Sequence, residues 1–182
     1  MLNELKNFDV FKNSSDKLLD EVSKNLRIQD ENAGVTIINH GDETNSLYLI
    51  IEGTLLITQL AEDGKIVSLE LLKKGQCFGE IAIIDGAPRS ASVVSLGNVK
   101  LGILSENFVK GTLMNDLDFN KSLLLRFAGI VRSANIQIFS LITANARKRL
   151  LLQLVRLSKM IQGRPHERVV EKGLSHTAIG SF

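Results

Sequence analysis

The sequence predicts an α+β protein built around a β-roll or barrel. Two observations carry this. Between Leu26 and Leu104 the apolar residues fall in many short runs, and glycine-containing turn signals separate them. Outside that stretch the apolar spacing becomes helical.

Residues 8–26 read as short helices, with Ser14, Ser15 and Asp16 as an N-cap cluster ahead of Leu18, Leu19 and Val22. The strand-like runs are residues 35–38, 47–51, 54–58 and 67–72. Turns are signalled at Gly41-Asp42, Glu52-Gly53, Asp63-Gly64, Lys74-Gly75, Asp85-Gly86 and Gly97-Asn98. Asp63-Gly64 between two apolar runs predicts a hairpin, because a primed turn needs positive φ. Many short strands with closely spaced turns point to a roll or barrel.

From about Asp116 to Ile142 the spacing is helical. Leu124, Phe127, Val131, Ala134, Ile138 and Leu141 recur at threes and fours, a heptad seam. Leu123, Leu125, Ile130, Ile136 and Phe139 widen that stripe. The expectation is a helix with one face on the roll and another on a second copy, hence a homodimer; an intramolecular seam is the alternative. Thr143 or Asn145 breaks the helix. Residues 146–161 read as a further helix carrying Arg147, Lys148, Arg149, Arg156 and Lys159, stopped by Gly163 and Pro165. A strand-like piece at residues 168–171 follows, and residues 173–180 read as an N-capped helix starting. Three domains result: 1–115, the β-roll; 116–143, the dimerisation helix; and 144–182, a linker helix with an incomplete further domain.

Composition narrows the function classes. A hydrophobic content of 44% supports a packed core. No Trp and one Tyr argue against an aromatic surface for stacking nucleic acid. Cys77 is the one cysteine, which excludes an internal disulfide and a cysteine-clustered zinc or iron–sulfur site. His40, His166 and His176 are scattered, so neither a metal nor a cofactor is expected. No Gly-x-Ser-x-Gly element, Walker loop or nucleophile–base constellation occurs, so an enzyme is not expected. The N-terminus lacks a signal-peptide profile, and no apolar run approaches the ~20 residues of a membrane helix. No membrane association and a cytoplasmic location are expected.

The net charge of +2 hides an asymmetry. Residues 1–120 carry 11 basic and 18 acidic side chains, net −7; residues 121–182 carry 11 and 2, net +9. A basic tail on an acidic body predicts a polyanion partner.

Residues 78–92 are the most informative stretch: F-G-E-I-A-I-I-D-G-A-P-R-S-A-S. They read as a short connection carrying one carboxylate, Glu80, and one guanidinium, Arg89. Gly79 permits close approach of a ligand to the backbone, and Pro88 stiffens the turn before the arginine. Ser90 and Ala91 leave their amides unshielded. A fixed arginine beside free amides suits phosphate. A carboxylate nearby then needs a donor, and a sugar hydroxyl supplies one. Phosphate plus ribose means a nucleotide.

This stretch resembles the phosphate-binding cassette of cyclic-nucleotide-binding domains, and His40-Gly41-Asp42 with residues 47–53 resembles the segment upstream of it. The order of elements resembles the Crp/Fnr family of bacterial transcription regulators. The resemblance implies a double-stranded β-helix (jelly-roll) with short N-terminal helices and a long dimerisation helix. The start of a winged helix-turn-helix would follow, its first helix at residues 174–182. It implies that Glu80 takes the ribose 2′-hydroxyl and Arg89 the cyclic phosphate, with Gly79, Ser90 and Ala91 as donors and Ile81 in the same cassette. Ser133, with Arg132 next, is the candidate contact to the base. Ile57, Leu69 and Leu71 or Leu72 would line an apolar base pocket, while Glu70 in the same strand leaves the preferred base open. The expected effector is cAMP in preference to cGMP, and binding would reposition a DNA-binding domain. The chain stops at Phe182, before any recognition helix, so DNA would be bound through the full-length winged helix-turn-helix and not by this chain alone. The alternatives are a stand-alone cyclic-nucleotide module regulating a protein partner, or a relative sensing another effector.

Overall fold

Short apolar runs closed by glycine turns fold into two four-stranded antiparallel sheets. The computed structural model describes residues 2–143, 151, 154, 155, 158–161 and 164–170. The chain divides into two units, Met1–Phe127 and Ala128–Phe182.

The first unit opens with α1 (Leu2–Leu5), a 3-10 turn (Asp9–Phe11) and α2 (Asp16–Asn25). Ser15 Oγ accepts from Leu18 N–H and caps α2, as its sequence position predicts. Eight strands follow: β1 (Arg27–Glu31), β2 (Thr36–Ile38), β3 (Leu47–Glu52), β4 (Thr54–Leu60), β5 (Ile66–Lys73), β6 (Cys77–Phe78), β7 (Ser92–Ser95) and β8 (Val99–Leu104). The helix α3 (Glu80–Asp85) stands between β6 and β7, and α4 (Glu106–Gly111) and a 3-10 turn (Leu113–Asn115) lead into α5 (Leu117–Thr143). One sheet has the order β1-β8-β3-β6 and the other β2-β7-β4-β5, a jelly-roll arrangement.

β4 and β5 form the hairpin that Asp63-Gly64 signals; Gly64 has φ +81°, and Lys65 N–H donates to Asp63 Oδ1. Its register shifts once. Ile57 faces Glu70 but Thr58 faces Ser68, so Leu69 is bulged out and 38% exposed. That bulge removes Leu69 from the inner face where the sequence pattern places it.

Two cores result. Ile50, Leu55, Leu72, Phe78, Val93 and Leu101 pack between the sheets. Leu47, Leu49 and Leu104 face the other way, onto Phe11, Leu19, Val22, Leu113, Phe119 and Leu123 of the helical layer. The alternation along β3 therefore serves both layers. Asp116 Oδ1 accepts from Phe119 N–H and fixes the start of α5, which brings Phe119 to 5.6 Å from Phe11, centroid to centroid.

The second unit holds the C-terminal part of α5 and an antiparallel hairpin of β9 (Ser158–Ile161) and β10 (Arg164–Val170). The helix expected through Ile161 gives way to strand at Ser158, because Ser158 and Lys159 pair with Val170 and Val169. Asn145, the Arg147-Lys148-Arg149 cluster, Gly163 and the helix start at residues 174–182 lie outside the described residues. Among the described residues no helix is long and apolar enough to cross a membrane.

Truncating Phe119 to alanine empties a fully buried site under α5. It is expected to cost about 3–5 kcal/mol of unfolding free energy, measured by urea titration. A loss below ~1 kcal/mol would show that α5 is not needed to close the helical core.

Candidate functional site

The residues singled out between Phe78 and Ser92 form a short helix and a return loop, where a plain connection was expected. β6 ends at Phe78, and Gly79 turns the chain with φ +87°. Glu80 then opens α3, which Gly86 closes in the left-handed region with its N–H on the Ala82 carbonyl. The return loop carries Arg89. Arg89 N–H donates to the Asp42 carbonyl, and the Arg89 carbonyl accepts from Gly41 N–H, both at 2.9 Å. The Gly41-Asp42 turn is thus the clamp that sets the arginine's backbone.

Arg89 is 3% exposed. Nη1 donates to the Gly79 carbonyl at 2.7 Å and Nη2 to the Ser46 carbonyl at 2.9 Å. The guanidinium lies over the Tyr48 ring, 5.8 Å from its centroid, and Tyr48 stacks on Phe78 at 4.8 Å. Burial pulls its pKa down, opposed by Tyr48, Glu80, Asp42 and Glu106. Nε is buried without a hydrogen-bond partner, so the cation keeps donor capacity beyond its two carbonyls. A Cβ on Gly79 would stand 2.6 Å from Nη1 and 2.7 Å from the Ser46 oxygen. The position therefore demands glycine for its conformation and for its space.

Glu80 is 6% exposed. Its Oε1 lies 3.6 Å from Nε of Arg126, on α5. That is an ion pair but too long for a hydrogen bond. Burial pushes the Glu80 carboxyl above the ordinary carboxylate range, and Arg126 opposes the rise. Cys77, next to the same cluster, is buried and its thiol is pushed up to about 12, so it stays protonated.

The sequence-predicted residues separate into groups. Gly79 and Arg89 are joined directly, and Glu80 is near enough for its charge to act on Arg89. Ala91 is half-buried just before β7, and Ser90 is exposed. Ile81 is exposed on α3. Arg132 and Ser133 lie on α5 within the second unit, both exposed. Of the proposed base pocket, Leu72 is wholly within the inter-sheet core, Ile57 packs against it, and Leu71 is half-buried.

Arg126 was not legible as a site residue. Its one signal is a lone cation interrupting the apolar run Leu123, Leu124, Leu125 and Phe127. Tyr48 and Ser46 also gain roles only through the fold. Among the described residues no group of three or more His, Cys, Asp or Glu could hold a metal ion.

Residues 31–116 match the family model described as the cyclic nucleotide-binding domain. The chain is 25% identical over 150 residues to the CRP-like cAMP-activated global transcriptional regulator of Mycobacterium tuberculosis, covering 82% of this chain and 67% of that protein. It is 24% identical over 190 residues to the cAMP-activated global transcriptional regulator CRP of Haemophilus influenzae, covering all of this chain and 85% of that protein. The crystal structure of the Thermus thermophilus catabolite activator protein shares the fold. It has a TM-score of 0.66 and 24% identity, covering 82% of this chain and 70% of that one.

Two expectations follow from the buried charges. The raised Glu80 pKa means that the folded state holds the proton more tightly. The associated stability is present at acid pH and lost as pH rises through the raised value. Replacing Arg126 with leucine removes the opposing cation. It is expected to cost about 3–5 kcal/mol at pH 8 and distinctly less near pH 4, by urea unfolding at both. Equal losses at the two pH values would show that Glu80 and Arg126 are not coupled.

Proposed function

We propose, on the match of residues 31–116 to the cyclic nucleotide-binding domain, that this chain is the effector-sensing and dimerisation part of a bacterial transcription regulator. The observation that carries the reading is Arg89. It is a buried cation held rigidly by two backbone carbonyls, with donor capacity left over, one short helix away from a buried carboxylate. That pairing suits a phosphate joined to a ribose. The effector is a cyclic nucleotide, and cAMP is the one named for the relatives.

In this reading Arg89 neutralises the cyclic phosphate, and the Gly79, Ser90 and Ala91 backbone presents further donors. Glu80 accepts from the ribose 2′-hydroxyl. Arg126 is a positioning residue, because it holds the Glu80 carboxylate from α5. Ile81 follows Glu80 on α3 and is a further candidate contact in the same cassette. Arg132 and Ser133 remain the candidates for contact with the base. The role is binding, with no bond made or broken.

The seam on α5 supports a homodimer. Leu124, Val131, Ile138 and Leu141 are each more than half exposed in the single chain, an apolar stripe that a second copy would cover. Ligand held by Glu80, which Arg126 positions from α5, would bias the arrangement of the α5 pair. A winged helix-turn-helix linked beyond it would then bind DNA in one of two populations. A cytoplasmic location goes with this function.

Calorimetric titration with cAMP is expected to give saturable binding. Arg89→Ala is expected to weaken it by about 2–5 kcal/mol, on the order of thirty-fold to several thousand-fold. Absence of heat and of thermal shift at millimolar cyclic nucleotide would sink the reading. For the dimer, Ile138→Asp is expected to convert the chain to a monomer in sedimentation equilibrium. A chain already monomeric before substitution would refute the seam.

A further inference from the structure

The cassette accounts for phosphate and ribose, and neither distinguishes one purine from another. A second carboxylate stands on the inner face of the roll with no part in either. Glu70 of β5 faces Ile57 of β4, and two residues further along each strand Leu72 faces Leu55. Side chains two apart share a face, so Glu70 points to the same side as Leu72. Leu55 and Leu72 are buried in the inter-sheet core and Ile57 packs against them, while Glu70 is half-buried on that face. The bulge at Leu69 lies directly beside Glu70, and a bulge re-aims the side chains next to it. The charge of Glu70 also acts on both Glu80 and Arg126, so it lies within electrostatic range of that pair.

The charges make this carboxylate informative. Arg89 and Arg126 stand against Glu80, and Asp42 and Glu106 also act on Arg89, so the cluster has no surplus positive charge to offset Glu70. An anionic ligand is then opposed by Glu70 unless it offers that carboxylate a donor. Arg126 is not a sufficient reason for Glu70, because Glu80 already pairs with it at 3.6 Å. The remaining donors of a cyclic nucleotide are on the base. A carboxylate has two acceptor oxygens and no donor. Guanine places two donors side by side on its Watson–Crick edge, N1–H and the 2-amino group. Adenine places its 6-amino group beside an acceptor, N1.

We infer that Glu70 is a specificity-determining residue that accepts from the base edge of the bound nucleotide and favours guanine over adenine. The inference rests on the cyclic-nucleotide reading of the cassette, and it parts the base preference of this chain from the cAMP named for its relatives.

The test is calorimetric titration of the full chain with cGMP and with cAMP, for the unaltered protein, Glu70→Gln and Glu70→Ala. Glutamine keeps the shape and offers one acceptor and one donor, the complement of adenine. Glu70→Gln is expected to shift the cGMP-to-cAMP affinity ratio toward cAMP by about tenfold. Glu70→Ala should move the ratio the same way, with cAMP gaining from removal of a repelling charge and cGMP losing its acceptor. Equal changes for the two nucleotides in both variants, or a shift toward cGMP, would overturn the assignment while leaving the cassette intact. Failure of the unaltered protein to bind either nucleotide would instead overturn the cyclic-nucleotide reading, and this inference with it.

Discussion

A single buried guanidinium organises the loops around Gly79 and Ser46 in the first unit. An ionised group taken out of water is costly unless its donors are met. Arg89 meets the requirement with the carbonyls of Gly79 and Ser46 and with the face of Tyr48. Each of those partners then has its own demand. The Gly79 carbonyl is aimed correctly only because the chain takes a left-handed turn there. The Ser46 carbonyl is in place because the loop before β3 is tied through Gly41 and Asp42 to the arginine's own backbone. Tyr48 is held by its stack on Phe78, the last residue before the turn. The network closes on itself, and a ligand would meet a cation that needs no rearrangement.

The second charged element runs from the cassette to α5. Glu80 and Arg126 are both nearly inaccessible, and at 3.6 Å they attract without a hydrogen bond. A buried pair of this kind is weak evidence for stability, since hydrophobic replacements often do as well. In the proposed reading its use is to couple Glu80 to Arg126 at the start of α5, so that whatever engages Glu80 changes what Arg126 feels. Within the first unit this is the direct electrostatic path from the cassette to α5 that the described contacts provide.

Much of the architecture was legible from local pattern. The runs at 35–38, 47–51, 54–58 and 67–72 became β2 to β5 within a residue or two. Gly41, Gly53, Gly64, Gly75 and Gly86 all adopt the positive φ that their turn signals required. What escaped had weak local signal. β1 is mostly polar, β6 is two residues long, and α3 is a six-residue helix in a stretch read as a connection. Ser158–Ile161 continued a helical pattern but was captured by strand pairing with β10. The bulge at Leu69 is equally invisible, because it depends on the register of the opposite strand.

Local chemistry was therefore enough to single out Gly79, Glu80 and Arg89, which the fold does bring together. A charged pair, a turn glycine and small neighbours declare themselves through residue type and spacing alone. Folding in three dimensions decided what holds those residues and what else shares their space. Arg126 reaches Glu80 across 46 positions of sequence, Ser46 reaches Arg89 across 43, and Leu69 is bulged out by the register of the opposite strand. No local pattern encodes such meetings, because they arise from the sheets closing and the helical layer packing against them.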